Sequence, residues 1–296
     1  MREVKSMTKS AVQTREKETG SVHARRFVAY LVLIILTVLC LVWFYILFIN
    51  ATRDKNDLRV NGFSAVPGTH LLENLNNLFH GTQPVLRGMV NSIIVAGCSA
   101  ILSTYFSTMT AYAIHAYRFK GRKVIFTFIL AIMMIPTQVS ALGFVDLMTK
   151  MHLMNTYIPL ILPSIAAPVV FFYMKQYMDS NLPGSLIEAA RIDGAGEFRI
   201  FNRIVFPLMK PAVSVQAIFT FVSSWNNYFI PSLILKDENM KTLPVLIAEL
   251  RSADFLKFDM GQVYAMIAFS IFPVIIVYLI LSKNIVGGVT AGGVKE

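Results

Sequence analysis

Six apolar runs constrain this chain more than any other feature: Phe27–Ile49, Met89–Ile114, Val124–Val145, Tyr157–Tyr173, Ala212–Leu235 and Val263–Leu281. None contains Asp, Glu, Lys, Arg or His. A helix needs about 20 apolar residues to cross a bilayer core, and backbone polar groups there must be satisfied within the segment. The runs therefore predict an all-α, polytopic membrane protein with six transmembrane helices. Of the 296 residues, 55% are hydrophobic and only 15% charged, against about 25% charged in soluble domains. Disordered, collagen-like and disulfide-scaffold chains are excluded. Cys40 and Cys98 lie inside apolar runs and are expected as small buried hydrophobes. The five histidines have no metal-ligand spacing.

Charge sets the orientation. With the N-terminus inside, 18 Lys and Arg residues fall on the inner side and 9 on the outer, whereas acids divide 8 to 9. The formal net charge of +10 is therefore entirely internal, as the positive-inside rule requires. This basicity reads as topology rather than as nucleic-acid binding. Residues 1–26 form a basic cytoplasmic tail, expected to be disordered. Phe27–Ile49 is too long for a signal-peptide core and has no small-residue cleavage site after it. Residues 27–282 make the membrane domain, and 283–296 a Gly-rich cytoplasmic tail expected not to hold a helix.

Proton-driven carriers use intramembrane carboxylates or histidines as relays, and the runs carry none. A membrane enzyme needs a nucleophile, base or metal site, and none is visible. The driving energy of uphill transport would then come from outside the spans, or from sodium held by neutral oxygens. The fifth run instead carries Gln216, Thr220, Ser223 and Asn227 at spacings of four, three and four, one helical face, with Trp225 and Tyr228 beside it. Amides with aromatic rings suit sugars, the rings covering apolar sugar faces. The face reads equally as pore lining or helix packing. Ser92, Ala96, Ser99, Ser103 and Thr110 in the second run read as a packing stripe. Pro136, before Thr137 and Gln138, is expected to break or kink the third run and to add pore-facing polar groups.

The segment 180–211, SNLPGSLIEAARIDGAGEFRIFNRIVFPLMKP, is the most distinctive. Ser180 or Asn181 is placed to cap a helix, with Pro183 in its first turn. Leu186–Ile192 reads as a short helix, Gly194 and Gly196 as a break, and Glu197–Val205 as a second helix. Exposed apolar residues between charges make either a docking surface or an ordinary amphipathic loop.

Glu188-Ala189-Ala190, then Asp193-Gly194-Ala195, Phe201, Ile204, Pro207 and Pro211 resemble the EAA motif of ABC-importer permeases, in the variant of the maltose-type carbohydrate permeases. Asn91-Ser92, Ala111-Tyr112-Ala113, Ile135-Pro136-Thr137-Gln138, Asn155-Thr156-Tyr157, Trp225-Asn226, Thr242-Leu243-Pro244 and the glycine-rich Gly287–Gly293 follow the family's order. Phe206, where many relatives have Leu, is a departure. The resemblance covers the chain from about residue 27 onward. It implies a non-catalytic permease subunit in the bacterial cytoplasmic membrane, importing a carbohydrate. Its partners would be a second permease subunit, two ATPase subunits that bind ATP and Mg, and an extracytoplasmic solute-binding protein. This chain itself would bind no cofactor, and it has no phosphate-binding loop of the Gly-x-x-x-x-Gly-Lys-Ser/Thr type. Glu188, Ala189, Ala190, Asp193, Gly194, Ala195, Phe201, Ile204 and Pro207 would couple to the ATPases. Ala189 and Ala190 would allow close approach, and Gly194 would set the turn. The substrate-pathway candidates are Gln138, Gln216, Thr220, Ser223, Trp225, Asn227 and Tyr228. A permease for a polyol or glycerol phosphate shares the same loop, and a self-contained sodium-coupled carrier is the alternative of another class.

Overall fold

The computed structural model describes the backbone of residues 2–81, 83–252 and 259–292, and side chains within 25–81, 83–250 and 259–285. The described residues are helical and contain no strand. In order they form α1 (Arg2–Asn50), α2 (Lys55–Asn61), α3 (Leu71–His80), α4 (Val85–Ala116), α5 (Arg122–Ile132), α6 (Thr137–Lys150) and α7 (Ile158–Ile161). A 3-10 turn (Leu162–Ile165) leads to α8 (Pro168–Asn181), α9 (Gly184–Ile192) and α10 (Glu197–Ile200). A π turn (Phe201–Val205) then leads to α11 (Phe206–Leu208), α12 (Lys210–Trp225), α13 (Phe229–Ile234), α14 (Leu243–Ser252) and α15 (Met260–Gly292).

Four helical stretches are long and apolar enough to cross a bilayer: Arg25–Asn50, Val85–Ala116, Ile158–Asn181 and Met260–Ile285. The number rises to as many as six if each of two bent pairs makes one crossing: α5 with α6, at 95°, and the end of the 180–211 loop with α12, at 79°, where α12 is the part that would cross. The predicted break in the third run is there, since Pro136 starts α6 after a turn and the residue before a proline disfavours helix.

Several expectations give way. The fifth run does not continue to Leu235: α12 ends at Trp225 and α13 begins at Phe229. Pro231 has no N–H to give the Asn227 carbonyl, and its ring clashes there, so the ladder opens. Ser180 and Asn181 cap nothing ahead, because α8 runs through them and α9 starts after Pro183. The basic tail is helical from Arg2, and α15 runs through Gly287 and Gly288 to Gly292. Extending an existing helix costs far less than starting one. Residues 293–296 of the C-terminal tail lie outside the described residues. Cys40 and Cys98 are exposed on helix faces, not buried; an acyl chain suits such a side chain as well as a core does.

The hub is α4, which packs most extensively on α12 and α8, while α12 packs on α15. Ser92, Ala96, Ser99 and Ser103 are buried along α4, as the packing reading requires, while Thr110 is exposed. Gly88 lets α14 approach: a Cβ there would lie 2.6 Å from Leu246 Cδ1. Asn91 Nδ2 donates to the Asn239 and Lys241 carbonyls at 2.9 Å, and Ser92 Oγ accepts from Leu243 N–H at 2.8 Å. Asn155, held at φ 57°, accepts from the N–H groups of Lys236 and Asp237 at 3.0 Å. These asparagines tie the connector between α13 and α14 to the helices below it. One apolar cluster joins the end of α4 to α8–α12, and a second joins the opposite end of α4 to α14 and α15.

Candidate functional site

The 180–211 loop folds as α9 and α10 around a glycine turn. Gly194 N–H donates to the Arg191 carbonyl and Ala195 N–H to the Ala190 carbonyl, each at 3.0 Å. This bond pair is a Schellman cap, and it needs a left-handed residue between: Gly194 has φ +77°. A Cβ on Gly194 would meet nothing within 4 Å, so the requirement is on the backbone alone. Farther on, Pro207 has no N–H for the Arg203 carbonyl, and Phe206 N–H bonds back to Phe201, shifting the ladder into the π turn.

A charged pair holds the two helices together. Glu197 accepts from Arg191 Nε and from the Tyr112 hydroxyl, both at 2.6 Å. The Arg191 guanidinium lies 5.1 Å from the centre of the Tyr117 ring, a cation–π distance. The hydrogen bond from Arg191 is the main cause that lowers Glu197 from 4.5 to about 2. Sequence reasoning missed this tie because Tyr112 and Glu197 are 85 residues apart; each lay in a recognisable string, but nothing paired them.

The loop residues divide by side. Glu188, Ala189, Asp193 and Gly194 are exposed, with Ile192 86% and Phe198 71% exposed beside them. Phe201 is buried, and Ala195 and Ile204 pack against the same cluster. Ala190 is only 7% exposed. Its side chain packs inside the same cluster, and its carbonyl closes the turn by accepting from Ala195 N–H. Pro207 is exposed.

At the other end of α12 a cavity of about 310 Å³ opens. Its polar wall is Ser92, Thr137, Ser140, Ser224, Asn227 and Thr242, brought from four separate parts of the chain, with Phe144, Pro159 and Pro163 among the apolar lining. Thr242 Oγ1 is buried and has no hydrogen-bond partner among the described residues, an unmet polar group in the cavity wall. Only Asn227 of the predicted pathway residues lines this cavity. Gln216 is buried within the helix packing, Thr220 is half-buried, and Gln138 and Ser223 are exposed away from it. The expected four-residue face is broken because Asn227 lies beyond the end of α12. Trp225 is buried and stacked on Phe221, with ring centres 5.6 Å apart. Trp225, Asn226 and Tyr228 border a separate cavity of about 520 Å³.

Residues 103–290 match the family described as binding-protein-dependent transport system inner membrane component. The chain belongs to that family. It is similar to the arabinooligosaccharides transport system permease protein AraQ of Bacillus subtilis (strain 168), 35% identical over 92% of this chain and 99% of the relative. It is also similar to the sn-glycerol-3-phosphate transport system permease protein UgpE of Escherichia coli O1:K1 / APEC, 30% identical over 82% and 88%. Its fold matches a chain in the crystal structure of a bacterial ABC transporter importing the acidic polysaccharide alginate. The TM-score is 0.74 at 23% identity, covering 87% of this chain and 95% of that one. The protein is thus a multi-pass inner-membrane component with the helical fold of such permeases.

Proposed function

We propose that this chain is one of two membrane subunits of an ATP-driven importer for an oligosaccharide, with both termini cytoplasmic. Two ATPase subunits, holding ATP and Mg, would dock on the α9–α10 surface, and an extracytoplasmic binding protein would deliver the sugar. The observation that carries the reading is the EAA loop itself. Its glycine turn is in the required left-handed geometry, and Glu188, Ala189, Asp193, Ile192 and Phe198 face outward. The six apolar runs hold no charged relay, which supports a docked engine as the source of the work.

The alternative, a phosphorylated small solute, is motivated by the UgpE likeness. The cavity beside Asn227 speaks against it. Its polar lining is hydroxyl and amide without a cation, which matches sugar hydroxyls and gives a phosphate dianion no charge-assisted partner. The test is ATP hydrolysis by the complete complex in proteoliposomes with its binding protein. An arabino-oligosaccharide is expected to stimulate it and glycerol phosphate not to. Stimulation by glycerol phosphate alone, or transport by the isolated chain without ATPases, overturns the reading.

A further inference from the structure

At the α9–α10 end of the bundle, a cavity of about 620 Å³ opens between the end of α4, the start of α5 and the end of α8. Its charged lining is Arg122, Lys123, Lys175 and Asp179, and Ile114 and Phe126 form its apolar side. Asp179 is already spent: one carboxylate oxygen bonds His115 Nδ1 at 2.7 Å and the other pairs with the buried Lys175. Arg122 and Lys123 have no ion pair among the described residues. The four charged lining residues carry a formal excess of two positive charges around a partly enclosed space.

We propose that this cavity holds the phosphate of an anionic phospholipid of the inner leaflet. The shared chemistry would fit free phosphate too, but the surroundings favour a lipid. α5 has no buried residue, and Val124, Ile125 and Phe128 stand exposed just beyond the charged rim. A diacyl lipid covers that apolar face while its headgroup meets Arg122 and Lys123; a soluble anion does only the second. Basic pockets between membrane helices on the cytoplasmic side bind such headgroups, and each cation near an anionic surface contributes about 1 kcal/mol. The leaflet assignment rests on the orientation given under Proposed function; the phosphate site does not.

The test is retention of phosphatidylglycerol by the purified complex, counted by native mass spectrometry after reconstitution in phosphatidylcholine vesicles with and without phosphatidylglycerol. The double variant Arg122→Gln, Lys123→Gln is expected to hold that lipid about thirtyfold more weakly, two cations' worth. The charge-preserving variant Arg122→Lys, Lys123→Arg should retain it, which separates charge loss from misfolding. Equal retention by wild type and the Gln variant overturns the proposal. Displacement of the lipid by millimolar inorganic phosphate also overturns it, in favour of a soluble anion. Labelling Ser185→Cys in the same vesicles reads orientation independently, so a wrong leaflet and a missing site give different results.

Discussion

Gly194 is the residue on which the proposed coupling surface turns. At φ +77° a β-branched side chain costs about 1–2 kcal/mol, with no clash to add. Gly194→Val is expected to insert normally but to bind its ATPase poorly, whereas Gly194→Asn, which tolerates this conformation, should keep most coupling. Co-purification of the ATPase with each variant checks this; full coupling in the Val variant counts against the turn's role. Glu197 supplies a pH dependence. Its carboxyl is lowered from 4.5 to about 2 by its bond from Arg191, so its contribution to stability is complete above pH 4.5 and is lost as pH falls toward 2. The melting temperature of wild type should fall across that window, and Glu197→Gln should flatten the slope. An unchanged slope would remove the Arg191–Glu197 tie as a source of loop stability.

At the scale of elements, the break between α12 and α13 does what a straight fifth span cannot. It turns Asn227 off the helix and into the cavity with Ser92, Thr137 and Thr242, while Gln216 stays within the packing. Asn227→Ala is expected to weaken sugar stimulation about threefold to tenfold, one hydrogen bond's worth, with normal assembly. Gln216→Ala should instead lower the yield of assembled complex. Sugar-stimulated ATPase per assembled complex separates the two, and an assembly defect from Asn227→Ala would move that residue from pathway to packing. Pro136 and Pro231 act alike, each removing an N–H from a helical ladder, but the apolar run that continues through Pro231 hides the second break from the hydropathy pattern.

For the whole molecule, the orientation proposed above rests on the excess of Lys and Arg on one side. Ser185→Cys, on the 180–211 loop, should react with a membrane-impermeant thiol reagent only from the cytoplasm. Leu72→Cys, on the opposite end, should react from outside, both in a background without Cys40 and Cys98. Labelling of Ser185→Cys from outside sinks the orientation. The first span stands apart from the rest. Its apolar side chains from Phe27 to Tyr45 are exposed; the end of α1 packs on α15, with Leu47 against the cluster that holds Ala51, and the Tyr45 hydroxyl donates to the Ala65 carbonyl at 2.8 Å.

What the amino-acid sequence determined alone was the all-helical membrane class, the break at Pro136 and the helix–glycine–helix loop. These follow from length, charge and backbone chemistry, which act locally. Which side of each helix faces what was decided only by the tertiary structure. In water a hydrophobic stripe separates inside from outside, but lipid and protein interior are equally apolar, so a polar stripe such as Gln216, Thr220 and Ser223 does not reveal what it faces. For the same reason Ala190 and Ala189 look alike in sequence, and only packing turned one inward and the other out. The cavity drew its polar wall from α4, α6, the α12–α13 break and Thr242, residues whose meeting no local pattern encodes.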